Sequence, residues 1–238
     1  MKIPRFQEKK DLKEFLSNLL NPNRTCAVIP FYNEYQSLSL LLEKVSRFVD
    51  FIICVNDGST DDSLSTIPKT KNILILSNNT NRGKGYSIKK GLLKGLELDY
   101  NRFVTIDADL QHDPEFIPKF LNALERYDFV IGNRLDNISD MPPLRIISNK
   151  ITSFLLSIKL NQKIFDSQCG FRAFNAKIIK NILPDTNGFE AETEMIINAG
   201  RHNIAIGFVS IPTIYGNEKS KMRNLQATLG FIKVYLTK

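Results

Sequence analysis

Five short apolar runs, separated by stretches of helical spacing, constrain this chain more than any other feature. TCAVIP (Thr25–Pro30), FIICVN (Phe51–Asn56), NILILS (Asn72–Ser77), RFVTID (Arg102–Asp107) and DFVIGN (Asp128–Asn133) are apolar at most positions. Strands buried on both faces read this way. Between them, Glu34–Phe48, Asp61–Ile67, Lys84–Leu98 and Pro114–Arg126 carry apolar residues at helical spacing. The last starts with Pro114, tolerated in a first turn, and Asp113 as its cap. Strand and helix alternating four times over predicts an α/β fold with a mostly parallel central sheet and helices on both faces. Past Met141 the rhythm loosens into a helix over Leu144–Leu160, a short strand near Phe171–Phe174, helices near Ala176–Ile182 and Glu190–Ala199, and a strand at Ile204–Ile211. No linker and no internal repeat intervenes. The expectation is a single domain over 25–216, preceded by a helical extension (1–24) and followed by a basic, amphipathic helix (217–238).

A chain of 238 residues with 42% hydrophobic content can bury one substantial core. Its net charge of +7 calls for an acidic partner: nucleic acid, an anionic membrane face or a phosphorylated small molecule. Nucleic acid is disfavoured, because neither a block of like charge nor a basic stripe interleaved with aromatics occurs. Cys26, Cys54 and Cys169 lie far apart without CxxC spacing, which predicts reduced, buried thiols in a cytoplasmic protein. The N-terminus, MKIPRFQEKKDLKEF, is too charged for a signal peptide. No run of about 18 apolar residues occurs, so no membrane span is expected.

Polar residues gather at one place in each unit. Asn33 and Glu34 follow the first strand, Asn56 and Asp57 end the second, Asn78 and Asn79 follow the third, and Asp107 ends the fourth. Open parallel sheets bind ligands outside the carboxyl ends of their strands. The sharpest cluster is FVTIDADLQHDPEF (Phe103–Phe116), where Asp107, Asp109 and Gln111 are two residues apart and would share one side of an extended chain. Oxygen ligands without His or Cys favour Mg²⁺ or Mn²⁺, a metal that grips a diphosphate through one or two carboxylates. Asp113 and Glu115 read instead as helix-start residues. RGKGYSIKKG (Arg82–Gly91) lacks the third glycine of a dinucleotide fingerprint, but its helix N-terminus, with Lys84 beside it, is placed to hold an anion. His112 and His202 are too few and too separated for a metal site or triad, and no GxSxG elbow occurs.

VIPFYNE (Val28–Glu34), VNDGSTDDS (Val55–Ser63), NRGKG (Asn81–Gly85), DADLQHDP (Asp107–Pro114) and IGNR (Ile131–Arg134), in this order and spacing, resemble family 2 glycosyltransferases of GT-A fold. DSQCGFRAF (Asp166–Phe174) is similar to the branch containing dolichol-phosphate mannosyltransferase and bacterial polyprenyl-phosphate glycosyltransferases. The resemblance runs from about Thr25 to Tyr215, and departs at Asn56, where many relatives carry Asp. It implies a UDP- or GDP-linked sugar donor, inversion at the sugar carbon, and a divalent metal on Asp107 and Asp109 with Gln111 near. Asp57 would meet the base or ribose, with Pro30, Asn33 and Glu34 lining the same pocket and Lys84 also on the donor. Arg134 and Arg172 carry the planar fork suited to phosphate, and Asp166 would orient or deprotonate the acceptor. Lys221 and Arg223 are further candidates for the acceptor phosphate.

The acceptor expected is a lipid phosphate, met at the cytoplasmic membrane face by a peripheral enzyme, with room for a membrane-protein partner. Leu144–Leu160 places Leu144, Ile147, Ile151, Phe154, Leu155 and Ile158 near one helical face, flanked by Arg145, Lys150 and Lys159. Leu225–Lys238 is apolar on most sides and follows Lys219, Lys221 and Arg223. Each helix reads either as core packing, the first reading for Leu144–Leu160, or as a membrane-surface element. Rival readings are transfer to a glycan, glycolipid or protein hydroxyl, which would need Asp166 as a base; a sugar-nucleotide nucleotidyltransferase; and a nucleotide-sugar binder without turnover.

Overall fold

The computed structural model describes residues 23–136, 138, 141–214 and 224–238. Of the expected helical extension over 1–24, residues 1–22 lie outside the described residues, as do Lys219, Lys221 and Arg223.

The five apolar runs form strands β1 (Thr25–Phe31), β2 (Phe51–Asn56), β3 (Ile73–Ser77), β4 (Arg102–Thr105) and β5 (Phe129–Asn133). The second half adds β6 (Arg172–Asn175) and β7 (Ile206–Ser210). All seven join one sheet in the order β3-β2-β1-β4-β6-β5-β7. Only β6 runs against its neighbours, pairing antiparallel with β4 and β5. The chain moves outward from β1 to β3 and then returns to β4 on the other side of β1. That reversal makes the gap between the carboxyl ends of β1 and β4 a topological switch point. Pro30 suits this place. The β4 ladder ends at Val28↔Thr105, so a residue without an N–H sits past it on that side.

The helices are α1 (Leu38–Val45), α2 (Lys84–Glu97), α3 (Ile117–Ala123), α4 (Pro143–Leu160), α5 (Ala176–Ile182), α6 (Ala191–Arg201) and α7 (Asn224–Thr237). Three expected helices are shorter, for local reasons. α1 begins at Leu38 rather than Glu34 because side chains of the next loop claim the backbone N–H groups of residues 33–35. The segment after Asp61 is a 3₁₀ turn, Asp62–Thr66, capped by the Asp61 carboxylate. Pro114–Phe116 is another 3₁₀ turn, capped by Asp113 as expected, and α3 follows from it.

Phe103, Phe120, Phe129, Phe171 and Phe174 fill the core around β4–β6, with the Phe120 and Phe171 rings stacked at 4.1 Å. The three cysteines are buried and unpaired, and burial pushes the Cys54 and Cys169 thiols up to about 12, so neither is a thiolate at neutral pH.

α4 corrects the simplest reading of its pattern. Its buried residues are Asn149, Thr152, Ser153 and Leu156, whereas Leu144, Ile147, Ile151, Phe154 and Ile158 face outward. The inward face mixes this polar trio with Leu156, and Leu155 and Leu160 pack against the core, while the rest of the apolar stripe faces outward. α7 is intermediate: Phe231 and Val234 are buried, while Leu229, Ile232 and Leu236 are exposed. No described helix is long and apolar enough to cross a membrane.

Candidate active site

Loops after β1 and β2 clasp each other at the switch point. Asn33 takes a left-handed backbone (φ 55°), which Asn tolerates better than most residues. Its Oδ1 accepts from the Thr60 N–H at 2.8 Å, and its own N–H donates to Ser59 Oγ at 3.0 Å. The Glu34 N–H donates to Ser63 Oγ at 2.7 Å, and Asn56 Oδ1 accepts from the Ser59 N–H at 2.8 Å. Asn33 and Glu34 are therefore tied to the loop that follows Asn56 and Asp57, with Pro30 just before them on β1. Ser59 and Ser63, which sequence reasoning passed over, make the joints.

Asp57 has a more defined place than a pocket wall. Its buried carboxylate accepts from Arg82 N–H (2.9 Å), Gly83 N–H (2.9 Å) and Asn78 Nδ2 (2.8 Å). Asp57 is itself the anion on the approach to α2, where unsatisfied N–H groups and the helix dipole favour negative charge. The Tyr86 N–H is taken by Asn187 O at 3.1 Å. The protein itself thus uses the N–H groups of Arg82, Gly83 and Tyr86 at this helix end. Gly83 has φ 98°, and a Cβ there would strike Asn187 O, so only glycine lets the loop pack this closely.

Lys84 turns away from the helix end into the acids. Its Nζ lies 2.7 Å from Asp107 Oδ1 and 3.0 Å from Glu192 Oε2. Burial opposes its charge, but the two carboxylates more than offset that and raise its pKa. Burial likewise disfavours ionised Asp107, yet Lys84, with His112 and Arg134, holds its carboxyl below the usual range. Gly170 seals this pair, since a Cβ there would overlap Asp107 Oδ2. Glu192 escaped the sequence reading because it sits 108 residues from Lys84, in a helix-start position where acids are ordinary.

The DAD segment is a turn and not an extended strand end. β4 stops at Thr105, Leu110 has φ 59°, and Asp109 Oδ1 accepts from the Gln111 N–H at 3.1 Å. Asp107 and Asp109 are neighbours through this turn, not through strand periodicity. Burial, with the charges of Asp107 and Glu34 adding to it, pushes Asp109 up to about 6. His112 is buried, and burial with Arg134 nearby lowers it to about 4, which keeps it neutral at pH 7.

On the far side of the switch point, Arg134 and Asp166 form a bidentate pair, Nε–Oδ2 2.7 Å and Nη2–Oδ1 3.0 Å. Asp166 is wholly buried and also accepts from Arg134 N–H (3.1 Å), Asn149 Nδ2 (2.5 Å) and Gln168 N–H (3.1 Å). Burial would raise its pKa, but Arg134 and Asn149 overcome that and hold it low. A carboxylate with five donors and no exposure is poorly placed to take a proton from an acceptor, which favours the orienting half of the expectation for Asp166 over the deprotonating one. Arg172 needs a larger correction. Its guanidinium is buried and spends Nε on Cys169 O (2.8 Å), Nη1 on Glu192 O (2.8 Å) and Nη2 on Ser167 O (3.1 Å). It knits loop 167–169 to α6 and presents no fork to a phosphate.

The mostly parallel sheet with one reversed strand is the GT-A type fold. The chain belongs to glycosyl transferase family 2, whose family model matches residues 26–183. Among its relatives is a UDP-N-acetylglucosamine–dolichyl-phosphate N-acetylglucosaminyltransferase of Methanococcus voltae, 28% identical over 228 residues covering 86% of this chain and 90% of the relative. Another is an undecaprenyl-phosphate mannosyltransferase of Micrococcus luteus, 30% identical over 190 residues, covering 75% and 78%. In fold, the chain is similar to glucosyl-3-phosphoglycerate synthase of Mycobacterium tuberculosis, solved with Mn²⁺, UDP and phosphoglyceric acid (TM-score 0.70, 17% identity, 98% of this chain and 84% of that one). The names of the two curated relatives and the DSQCGFRAF segment agree on the polyprenyl-phosphate branch of the family.

Proposed function

We propose that this enzyme moves a sugar, with inversion, from a UDP- or GDP-linked donor to a polyprenyl or dolichyl phosphate at the cytoplasmic membrane face. The observation that carries the acceptor is the outer face of α4. Leu144 (77% exposed), Ile147 (55%), Ile151 (53%), Phe154 (64%) and Ile158 (62%) make an apolar stripe at helical spacing. Monomer surfaces rarely leave such a stripe bare without a partner. An anionic lipid surface fits it, because Arg145, Lys150 and Lys159 lie on the same helix and each basic residue near an anionic leaflet adds about 1 kcal/mol. Lys159 Nζ also donates to Tyr235 O at 2.8 Å, joining the stripe to the exposed apolar residues of α7. The relatives named for dolichyl and undecaprenyl phosphate support the same acceptor class.

The residues present also fit a hard cation. Lys84 is committed to Asp107 and Glu192, which leaves Asp109 with one backbone donor among the described residues and a pKa raised by burial and by Asp107. Asp109 and Asp107, with Gln111 beside them, would hold Mg²⁺ or Mn²⁺, as oxygen-only donor sets do. Bound there, the metal would supply Lewis acidity that offsets charge building on the departing nucleoside diphosphate. The Mn²⁺ and UDP of the mycobacterial synthase are consistent with this.

The chain's own residues do the rest. The clasped loops at 33–34 and 57–63 receive the nucleotide, and Asp57 keeps the loop before α2 in register. Arg134, aimed by Asp166, offers its guanidinium to the acceptor phosphate. A phosphate monoester, with a second pKa of about 6, is already largely ionised at neutral pH and needs no base. A sugar or protein hydroxyl would need one, and Asp166 is unavailable for it, which weighs against that acceptor class. The test is transfer from a panel of UDP- and GDP-sugars to a polyprenyl phosphate in anionic vesicles with Mn²⁺, together with sedimentation on those vesicles at low and high salt. Transfer, with binding that weakens as salt rises, is expected. Full indifference to anionic vesicles at low salt, with turnover on a soluble acceptor, would overturn the lipid reading.

A further inference from the structure

The inner face of α4 carries a second device. Besides Asn149 Nδ2 on Asp166, the Asn149 Oδ1 accepts from Ser153 Oγ at 3.1 Å. Ser153 Oγ in turn accepts from the Ser167 N–H at 2.9 Å, and Thr152 Oγ1 lies 3.0 Å from Ser167 Oγ. These side chains are buried. A polar helix face turned into a protein is costly unless every group finds a partner, and here the partners outside the helix, Asp166 and Ser167, belong to one loop. A plain structural solution would be apolar packing of the same shape, which is seldom less stable than a buried polar pair. Thr152 and Ser153 hold Ser167, whereas Asn149 does what an apolar residue would not: it donates to the carboxylate that aims Arg134.

We propose that Asn149 is a positioning residue for transfer: by donating to Asp166 it sets the orientation of the Arg134 guanidinium toward the acceptor phosphate, from the same helix whose outer face meets the lipid. Arg134 side-chain exposure is 11%, against 0% for Asp166, so the arginine is the member of the pair that reaches the site. Asp166 Oδ1 is shared between Arg134 Nη2, Asn149 Nδ2 and Gln168 N–H, and removing the amide donor takes away the one side-chain contact, apart from Arg134 itself, that holds this oxygen among the described residues. The inference rests on the proposed phosphate acceptor.

The test is Asn149→Asp, which keeps the shape and the acceptor for Ser153 but exchanges the donor for a second carboxylate, alongside Asn149→Ala. Ser153→Ala is the control, since it breaks bonds in the same buried network without touching Asp166. Each protein is assayed with a short-chain, water-soluble polyprenyl phosphate, so that membrane docking plays no part. UDP and GDP affinity and melting temperature are measured in parallel. Both Asn149 variants should raise acceptor KM at least tenfold and lower kcat, with nucleotide affinity within twofold of the parent, while Ser153→Ala keeps parental kinetics even where its melting temperature falls. Parental kinetics in Asn149→Asp would overturn the proposal. So would kinetic losses that track melting temperature equally across all three variants. Should the parent ignore polyprenyl phosphates but use another soluble acceptor, the acceptor reading fails, and the same three-variant comparison on that acceptor decides the role of Asn149 independently.

Discussion

Helices α2 and α4 flank the site from its two sides and treat their apolar residues in opposite ways. α2 turns Ile88 and Leu92 into the core and lays Gly91 over Val28 and Val55, so it approaches β1 and β2 closely. α4 buries Asn149, Thr152 and Ser153 and turns Ile147, Ile151, Phe154 and Ile158 outward. Both are amphipathic. The contrast teaches that a hydrophobic face gives a helix a direction but not a destination. An apolar stripe seeks whatever low-dielectric medium is at hand, and for α4 the proposed medium is lipid rather than the protein core. On the proposed function it also divides labour: the α2 side would serve the donor (Lys84, Asp107 and Asp109, with Asp57 bracing the loop), and the α4 side would serve the acceptor (Arg134, positioned by Asp166 and Asn149).

The sharpest test of that division is Asp109→Ala. Loss of the proposed metal ligand should lower transfer on the order of a thousandfold with lipid-borne and soluble acceptors alike, while the melting temperature holds. Turnover that survives both this change and a chelator would remove the donor side from the α2 half. Next in size is Asp166→Ala, which removes the buried half of the Arg134–Asp166 ion pair. Breaking such a pair costs about 3–5 kcal/mol, read as a lower denaturation midpoint; a loss under about 1 kcal/mol would mean that the pair behaves as a surface one.

Asp57→Ala should be milder, because three donors lose a buried acceptor but water can reach the rim. About 1–3 kcal/mol of stability should go, together with nucleoside diphosphate affinity, while kcat at saturating donor stays near parental. Equal nucleotide affinity in titrations of both proteins would make Asp57 a loop brace alone. The smallest effect on stability belongs to the α4 stripe. Ile151→Glu with Phe154→Glu should move the unfolding free energy by no more than about 0.5 kcal/mol per site, yet abolish sedimentation with anionic vesicles and activity on vesicle-borne acceptor. A large destabilisation would show the stripe to be covered by protein, and α4 would then match α2 after all.

The carboxyl edge of the sheet, where the donor is proposed to bind, was legible in the chain. Polar residues at the ends of β1, β2 and β4 mark the carboxyl edge of a parallel sheet because side-chain direction there follows from strand geometry and connection rules. The acceptor side was less so. Arg172 and Arg134 look alike in sequence, and only the carbonyls of Cys169, Glu192 and Ser167 around one of them decide that it is structural. Asn149, Thr152 and Ser153 did leave a signal, a polar stripe at helical spacing opposite the apolar one. It was overshadowed because apolar faces are ordinarily assumed to point inward.

The sequence alone determined the sheet, its strand direction, the family and the edge where chemistry gathers, since these depend on local periodicity and on short connections. Tertiary structure decided which charges meet. Lys84 reaches Glu192 across 108 residues, and Asn149 reaches Asp166 only because α4 packs polar side down. It also decided that Asp107 and Asp109 converge through a turn, with Leu110 at φ 59°, and not along a strand. Pairwise electrostatics and hydrogen bonds fall off within a few ångströms. They are therefore set by how elements dock, and docking is a property of the whole fold.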